Sequence, residues 1–122
     1  MAVVDAESGA VTFTVPTGRG ADDLILDPAA KELIVANGVD GNINVFKQEG
    51  ADKYTLTETF GTRPGLRVIR TDTATHKIYG MTGEGTFDAS KKNLSAISPF
   101  YANTFFPGTF VMLTYGRGPA TK

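Results

Sequence analysis

The residues able to do chemistry are few, and their counts exclude more than they allow. His76 is the single histidine and there is no cysteine, so one chain cannot build a His pair, a thiolate metal site or a cysteine nucleophile. His76 stands between Thr75 and Lys77 in an expected turn, where an imidazole is expected to be solvated and inert. Its functional alternative is one ligand or one base working with residues elsewhere. Ser8, Ser90, Ser95 and Ser98 lack the setting of an activated serine nucleophile. Gly18-Arg19-Gly20 and Gly83-Glu84-Gly85 neither join a strand to a helix nor precede Gly-Lys-Ser/Thr, so they are not phosphate loops. The stretch from Asn37 to Asn44 is rich in oxygen ligands but lacks the spacing and closing glutamate of a calcium loop. It reads as a hairpin with Asp40-Gly41 at the tight turn.

Two charged pairs and one aromatic segment remain. Arg67 and Arg70 flank Val68-Ile69, and a guanidinium can meet an anionic group through two parallel hydrogen bonds. The structural alternative for Arg67 is a pair with Asp72 or Asp23, or plain solvation. Asp22 and Asp23 could hold a hard cation, but neighbours on a strand point to opposite faces, which argues against a shared site. The segment from Gly83 to Pro107 places Phe87, Phe100, Tyr101, Phe105 and Phe106 near Lys91 and Lys92. It is expected to fold over apolar surface, with a grip on a ligand or partner as the alternative. The candidate ligand-binding residues are therefore Arg67, Arg70, Asp22, Asp23, Phe100 and Tyr101. No catalytic residue, metal ligand or cofactor is assigned.

The bulk numbers narrow the partners. A net charge of −1 over 122 residues is not the basic balance of a general nucleic-acid binder. No long apolar run supplies a membrane span. Met1 to Glu7 has neither the basic start nor the apolar stretch of a secretory signal. The compartment stays open.

The elements that must position these residues are strands. Val11 to Val15, Asn42 to Val45 and Tyr54 to Thr57 alternate apolar with polar residues. Leu24 to Leu26 and Leu33 to Ala36 are short aliphatic runs, as expected of strands covered on both faces. No dozen residues show a convincing helical period; the best candidate, Asp88 to Ala96, is short. The chain also repeats itself. Asp27 falls on Asp72 at an offset of 45 residues, and in the same register Val11 to Thr17 lies on Leu56 to Thr62 and Gly20 on Gly65. A third block, Gly41 to Phe46, falls on Gly108 to Leu113 at an offset of 67, which leaves Gly83 to Pro107 as an insertion.

A period in the forties with four strands per unit is the signature of a β-propeller blade. The fold expected is all-β, a partial propeller of four-stranded antiparallel blades with an irregular insertion in the last. Residues 1–19 make a half blade with strands Ala2–Val4 and Val11–Val15. Residues 20–63 make a complete blade with strands Asp22–Leu26, Glu32–Ala36, Asn42–Lys47 and Tyr54–Phe60. Residues 64–116 make a three-stranded blade, Arg67–Thr71, Lys77–Met81 and Thr109–Tyr115, with the insertion 83–107; 117–122 is a tail. Arg67, Asp22 and Asp23 then start innermost strands, at the mouth of a central channel.

Val4-Asp5-Ala6-Glu7-Ser8-Gly9-Ala10-Val11 and Asp27-Pro28 followed by Leu33-Ile34-Val35-Ala36-Asn37 resemble the YVTN β-propeller repeat. So do Asp72 and Lys77-Ile78-Tyr79, although Gly80-Met81-Thr82 departs from the usual ending. The resemblance covers most of the chain outside the insertion, and it implies a fold rather than an activity. Full-length members are often exported. About two and a quarter blades cannot close a ring, so the expected partners are further copies of the chain or further blades, beside a protein or small-molecule ligand. The leading expectation is a non-enzymatic binding or scaffolding module. The alternative is part of a propeller enzyme, a lactonase-like hydrolase with its site in the central channel.

Overall fold

Apolar–polar alternation makes strands here, and the glycine-rich segments between them make turns. The computed structural model describes residues 1–91 and 101–116. Among the described residues it contains eleven strands and no helix, and hence no helix long and apolar enough to cross a membrane. β1 (Ala2–Val4) and β2 (Val11–Thr14) pair as a hairpin. β3 (Ala21–Asp27), β4 (Glu32–Asn37), β5 (Asn42–Gln48) and β6 (Tyr54–Gly61) form a four-stranded antiparallel sheet in chain order. β7 (Val68–Asp72) pairs with β8 (Lys77–Thr82). Inside the insertion β9 (Gly85–Thr86) and β10 (Thr104–Phe105) make a short hairpin. β11 (Val111–Tyr115) then returns to the free side of β8, giving a three-stranded sheet. Among the described residues the sheets close into neither a barrel nor a propeller.

All nine strands read from the sequence are present, with ends displaced by two residues at most. Arg67 lies just before β7 rather than in it, and Thr109 and Phe110 lie before β11. The hairpin β9–β10 was not legible, because two-residue strands carry no period. The helical candidate over 88–96 fails where it is described: Asp88 accepts the Ser90 N–H at 2.9 Å and closes a turn. Its residues from 92 onward lie outside the described ones.

The sequence repeat has a backbone counterpart. Gly20 and Gly65 both take left-handed φ, 67° and 78°. Lys31 and His76, also 45 apart, are the non-glycine residues with positive φ among the described residues, 53° and 54°. Gly41 and Gly108 match at 61° and 73°. One departure concerns the last strand. Met112 opposes Met81 as Ile43 opposes Ala36, two residues along from the register that puts Gly41 on Gly108. An even slip keeps every side chain on its own face, so the repeat survives it.

Packing follows from the alternation. One face of the four-stranded sheet gives Ile34, Ala36, Ile43 and Val45 to a core completed by Leu66, Ile69 and Ile78 of the three-stranded side. The opposite face gives Leu33, Val35 and Phe46, covered by Met1, Val15 and Tyr54. That is why β4 is buried along its whole length. β3 and β7 lie side by side, tied where Asp23 Oδ2 accepts the Ile69 N–H at 2.9 Å. The other face of the three-stranded sheet leaves Val68, Met81 and Met112 exposed in one row.

Candidate functional site

Five of the six candidate residues fall into two groups, Asp22, Arg67 and Tyr101 in one and Asp23 and Arg70 in the other. β3 carries an irregularity between Ala21 and Asp23, which is where Asp22 and Asp23 part company. Asp22 accepts a hydrogen bond from the Tyr101 hydroxyl. Asp23 faces β7, where its carboxylate also takes Arg70 Nη1 at 3.0 Å. The two acids therefore share no site. Arg67 pairs with neither Asp72 nor Asp23: its guanidinium carbon lies 3.7 Å above the centre of the Tyr101 ring, a cation–π stack. Among the described residues no carboxylate forms an ion pair with Arg67. Phe100 lies outside the described residues.

Two glycines explain how an insertion residue reaches back to β3. A Cβ on Gly20 would stand 2.6 Å from the Tyr101 hydroxyl oxygen, and one on Gly38 would stand 2.7 Å from Asp22 Oδ2 and 3.1 Å from the Tyr101 ring. The ring thus sits in a notch that side chains would fill. Burial first, then the Asp22 hydrogen bond and charge, push the Tyr101 hydroxyl up to about 12, against the opposing pull of Arg67. It stays a donor to Asp22 at neutral pH.

Arg67 opens onto two adjoining hollows of about 630 and 380 Å³, which share Arg67, Thr82, Phe105, Phe106 and Thr109 in their walls. Met81 and Phe110 complete the smaller one. Tyr101, Arg63 and Glu84 line the larger, and the last two pair at 3.2 Å. With Arg63 taken by Glu84, the aromatic walls and the Arg67 guanidinium suit a ligand with an apolar body and an anionic end.

His76 departs from the expectation of an inert, solvated side chain. Its Nδ1 lies 2.7 Å from Asp27 Oδ2, with the imidazole 39% exposed and the carboxylate 2%. The other oxygen of Asp27 accepts the Ala29 and Ala30 N–H groups at 3.1 and 3.0 Å. Burial by itself would raise the Asp27 pKa; the His76 hydrogen bond, the Ala30 N–H, the His76 charge and the Ala29 N–H together hold it below the usual 3.8. The pair borders a third cavity of about 430 Å³ between the two larger sheets. Sequence reasoning missed it because the partners are 49 residues apart. The usable signal was the repeat itself, which sets the two Asp-to-β-turn units side by side.

The loop Gly18-Arg19-Gly20 is structural. Arg19 meets Asp40 through its backbone N–H at 2.8 Å and through Nε at 2.7 Å, which pins it to the β4–β5 turn. Among the described residues no group of three His, Cys, Asp or Glu is arranged to hold a metal ion. Comparison with known proteins finds no matching family model, no matching curated protein and no matching solved structure, so the site's own geometry carries the functional argument.

Proposed function

We propose that the chain is a non-enzymatic binding module, built from β-propeller-type blades that resemble the YVTN repeat, and that it receives small carboxylates with an apolar body at Arg67. The propeller reading is supported by three pairs of left-handed residues at the repeat spacings and by the shared strand order of the two larger sheets. The binding reading rests on one observation: a guanidinium without a carboxylate partner among the described residues, its carbon 3.7 Å from the centre of the Tyr101 ring, in the wall of a hollow lined by Phe105 and Phe106. Calorimetric titration with phenylacetate tests it. Arg67→Gln is expected to weaken binding at least about tenfold, about 1.4 kcal/mol, and phenylacetamide is expected to bind as poorly to the unaltered protein. Equal binding of acid and amide, or equal binding by the variant, would sink the reading.

The same reading includes association with further copies or blades, supported by the exposed row Val68, Met81 and Met112. Light scattering of the purified chain is expected to give a mass at least about twice that of one chain, falling to one chain in Met81→Lys. A single-chain mass at high concentration would count against it.

A further inference from the structure

The two hollows beside Arg67 differ in chemistry as well as in size. Met81 and Phe110 line the smaller, of about 380 Å³, and not the larger. Arg63, Glu84 and Tyr101 line the larger, of about 630 Å³, and not the smaller. The smaller hollow is therefore an apolar space. Met81, Phe105, Phe106 and Phe110 are all exposed, so its wall has apolar surface left to bury.

The larger hollow is polar but carries no net charge from Arg63 and Glu84, which pair at 3.2 Å. Their pairing does not exhaust them. A guanidinium has several N–H donors and a carboxylate several lone-pair sites. A neutral group with both a donor and an acceptor, such as an amide, can meet the pair without disturbing its charge balance. Arg67 lines both hollows, and among the described residues no carboxylate forms an ion pair with it.

A cation thus stands where an apolar space and an amide-compatible space meet. A small carboxylate such as phenylacetate has groups for the cation and the apolar space only. A carbon bearing a carboxylate, an apolar side chain and an acylated nitrogen has a group for each part. That carbon is the α-carbon of the last residue of a peptide.

We propose that the site captures the C-terminal residue of a peptide whose last side chain is large and apolar. The terminal carboxylate meets Arg67. The last side chain enters among Phe105, Phe106, Phe110 and Met81. The preceding amides lie in the larger hollow against Arg63 and Glu84. This rests on the carboxylate reading of Arg67 and adds the peptide to it.

The test is calorimetric titration of the whole chain with phenylacetate and three short peptides. The first peptide is acetyl-glycyl-seryl-phenylalanine with a free carboxylate. The second is its C-terminal amide, and the third ends in alanine instead of phenylalanine. The free-acid phenylalanine peptide is expected to bind at least about tenfold tighter than each of the other three ligands. Arg67→Gln is expected to bring it down to the affinity of the amide, with circular dichroism checking that the variant folds. The comparison among ligands uses the unaltered protein and needs no variant. If phenylacetate binds and the peptide binds no tighter, the inference is overturned and the carboxylate reading stands. Equal binding of the phenylalanine and alanine peptides also overturns it, because the apolar hollow then selects nothing. Equal binding of free acid and amide overturns the carboxylate reading and the inference with it.

Discussion

Asp27→Ala is expected to lower the unfolding free energy by about 3 kcal/mol at about pH 7, because it removes a buried acceptor from three donors at once. The carboxylate is 2% exposed and accepts from Ala29, Ala30 and His76. The alanine variant leaves two backbone N–H groups facing a cavity and the imidazole without its anchor. His76→Gln should cost less, because the Asp27 carboxylate keeps both backbone donors. The pH dependence has a definite sign. The folded-state pKa of Asp27 lies below 3.8, so the unfolded chain takes up the proton at higher pH than the folded one does. The stabilisation is fully present above 3.8 and is lost as pH falls through the folded-state value. Urea denaturation at about pH 7 and about pH 3 should therefore show the gap between variant and parent narrowing at the lower pH. A gap that is small at neutral pH, or the same at both, would mean the pair does not tie the sheets.

Asn44→Ala is the second large effect, expected at about 2 to 4 kcal/mol. Asn44 is 5% exposed. Its carbonyl oxygen accepts the Gly18 N–H at 3.0 Å and Asn37 Nδ2 at 2.8 Å, and its amide donates to Thr59 at 2.9 Å. Asn37 is fully buried, and its own side-chain carbonyl oxygen already lacks a hydrogen-bond partner among the described residues, so the ladder has no slack for another orphan. The loss should reach the ligand site. Gly18 precedes Arg19 and Gly20, and Gly20 makes room for Tyr101. Hydrogen exchange at the Gly18 amide should accelerate more than exchange within β5, and phenylacetate binding should weaken with it. A variant that unfolds at the parent's urea midpoint would refute the ladder's role.

The nine longer strands were legible because each announces itself locally. Leu33 to Ala36 is continuously apolar since both faces of β4 are covered, and Asn42 to Val45 alternates apolar with polar residues although β5 is buried on both faces, because Asn44 satisfies its buried amide with hydrogen bonds. The repeat register was legible because glycine and aspartate mark backbone needs: Gly20 and Gly65 take the left-handed turn, and Asp27 and Asp72 cap the turns that follow them. Which side chains meet across sheets was not legible. Arg70 rather than Arg67 takes Asp23, a choice made by the side-by-side placement of β3 and β7 and invisible in spacing. Tyr101 was named with Phe100 among the candidate ligand-binding residues, but not as the partner of Arg67 and Asp22. What singles it out is a notch between Gly20 and Gly38, residues that look like ordinary turn glycines in one dimension.

The hydrogen bond from Tyr101 to Asp22 spans 79 residues, and that separation sets an order of events. β-turn-linked hairpins such as β4–β5 close within a few residues and carry little loop-closure entropy. The Tyr101 contact requires β3, the β4–β5 turn and the insertion to be in place first, since its notch is made of all three. The binding hollow is therefore completed late on the folding path, after the sheets have paired. A refolding experiment should recover strand circular dichroism before it recovers phenylacetate binding, and the interval between them is the time the chain spends built but unable to hold its ligand.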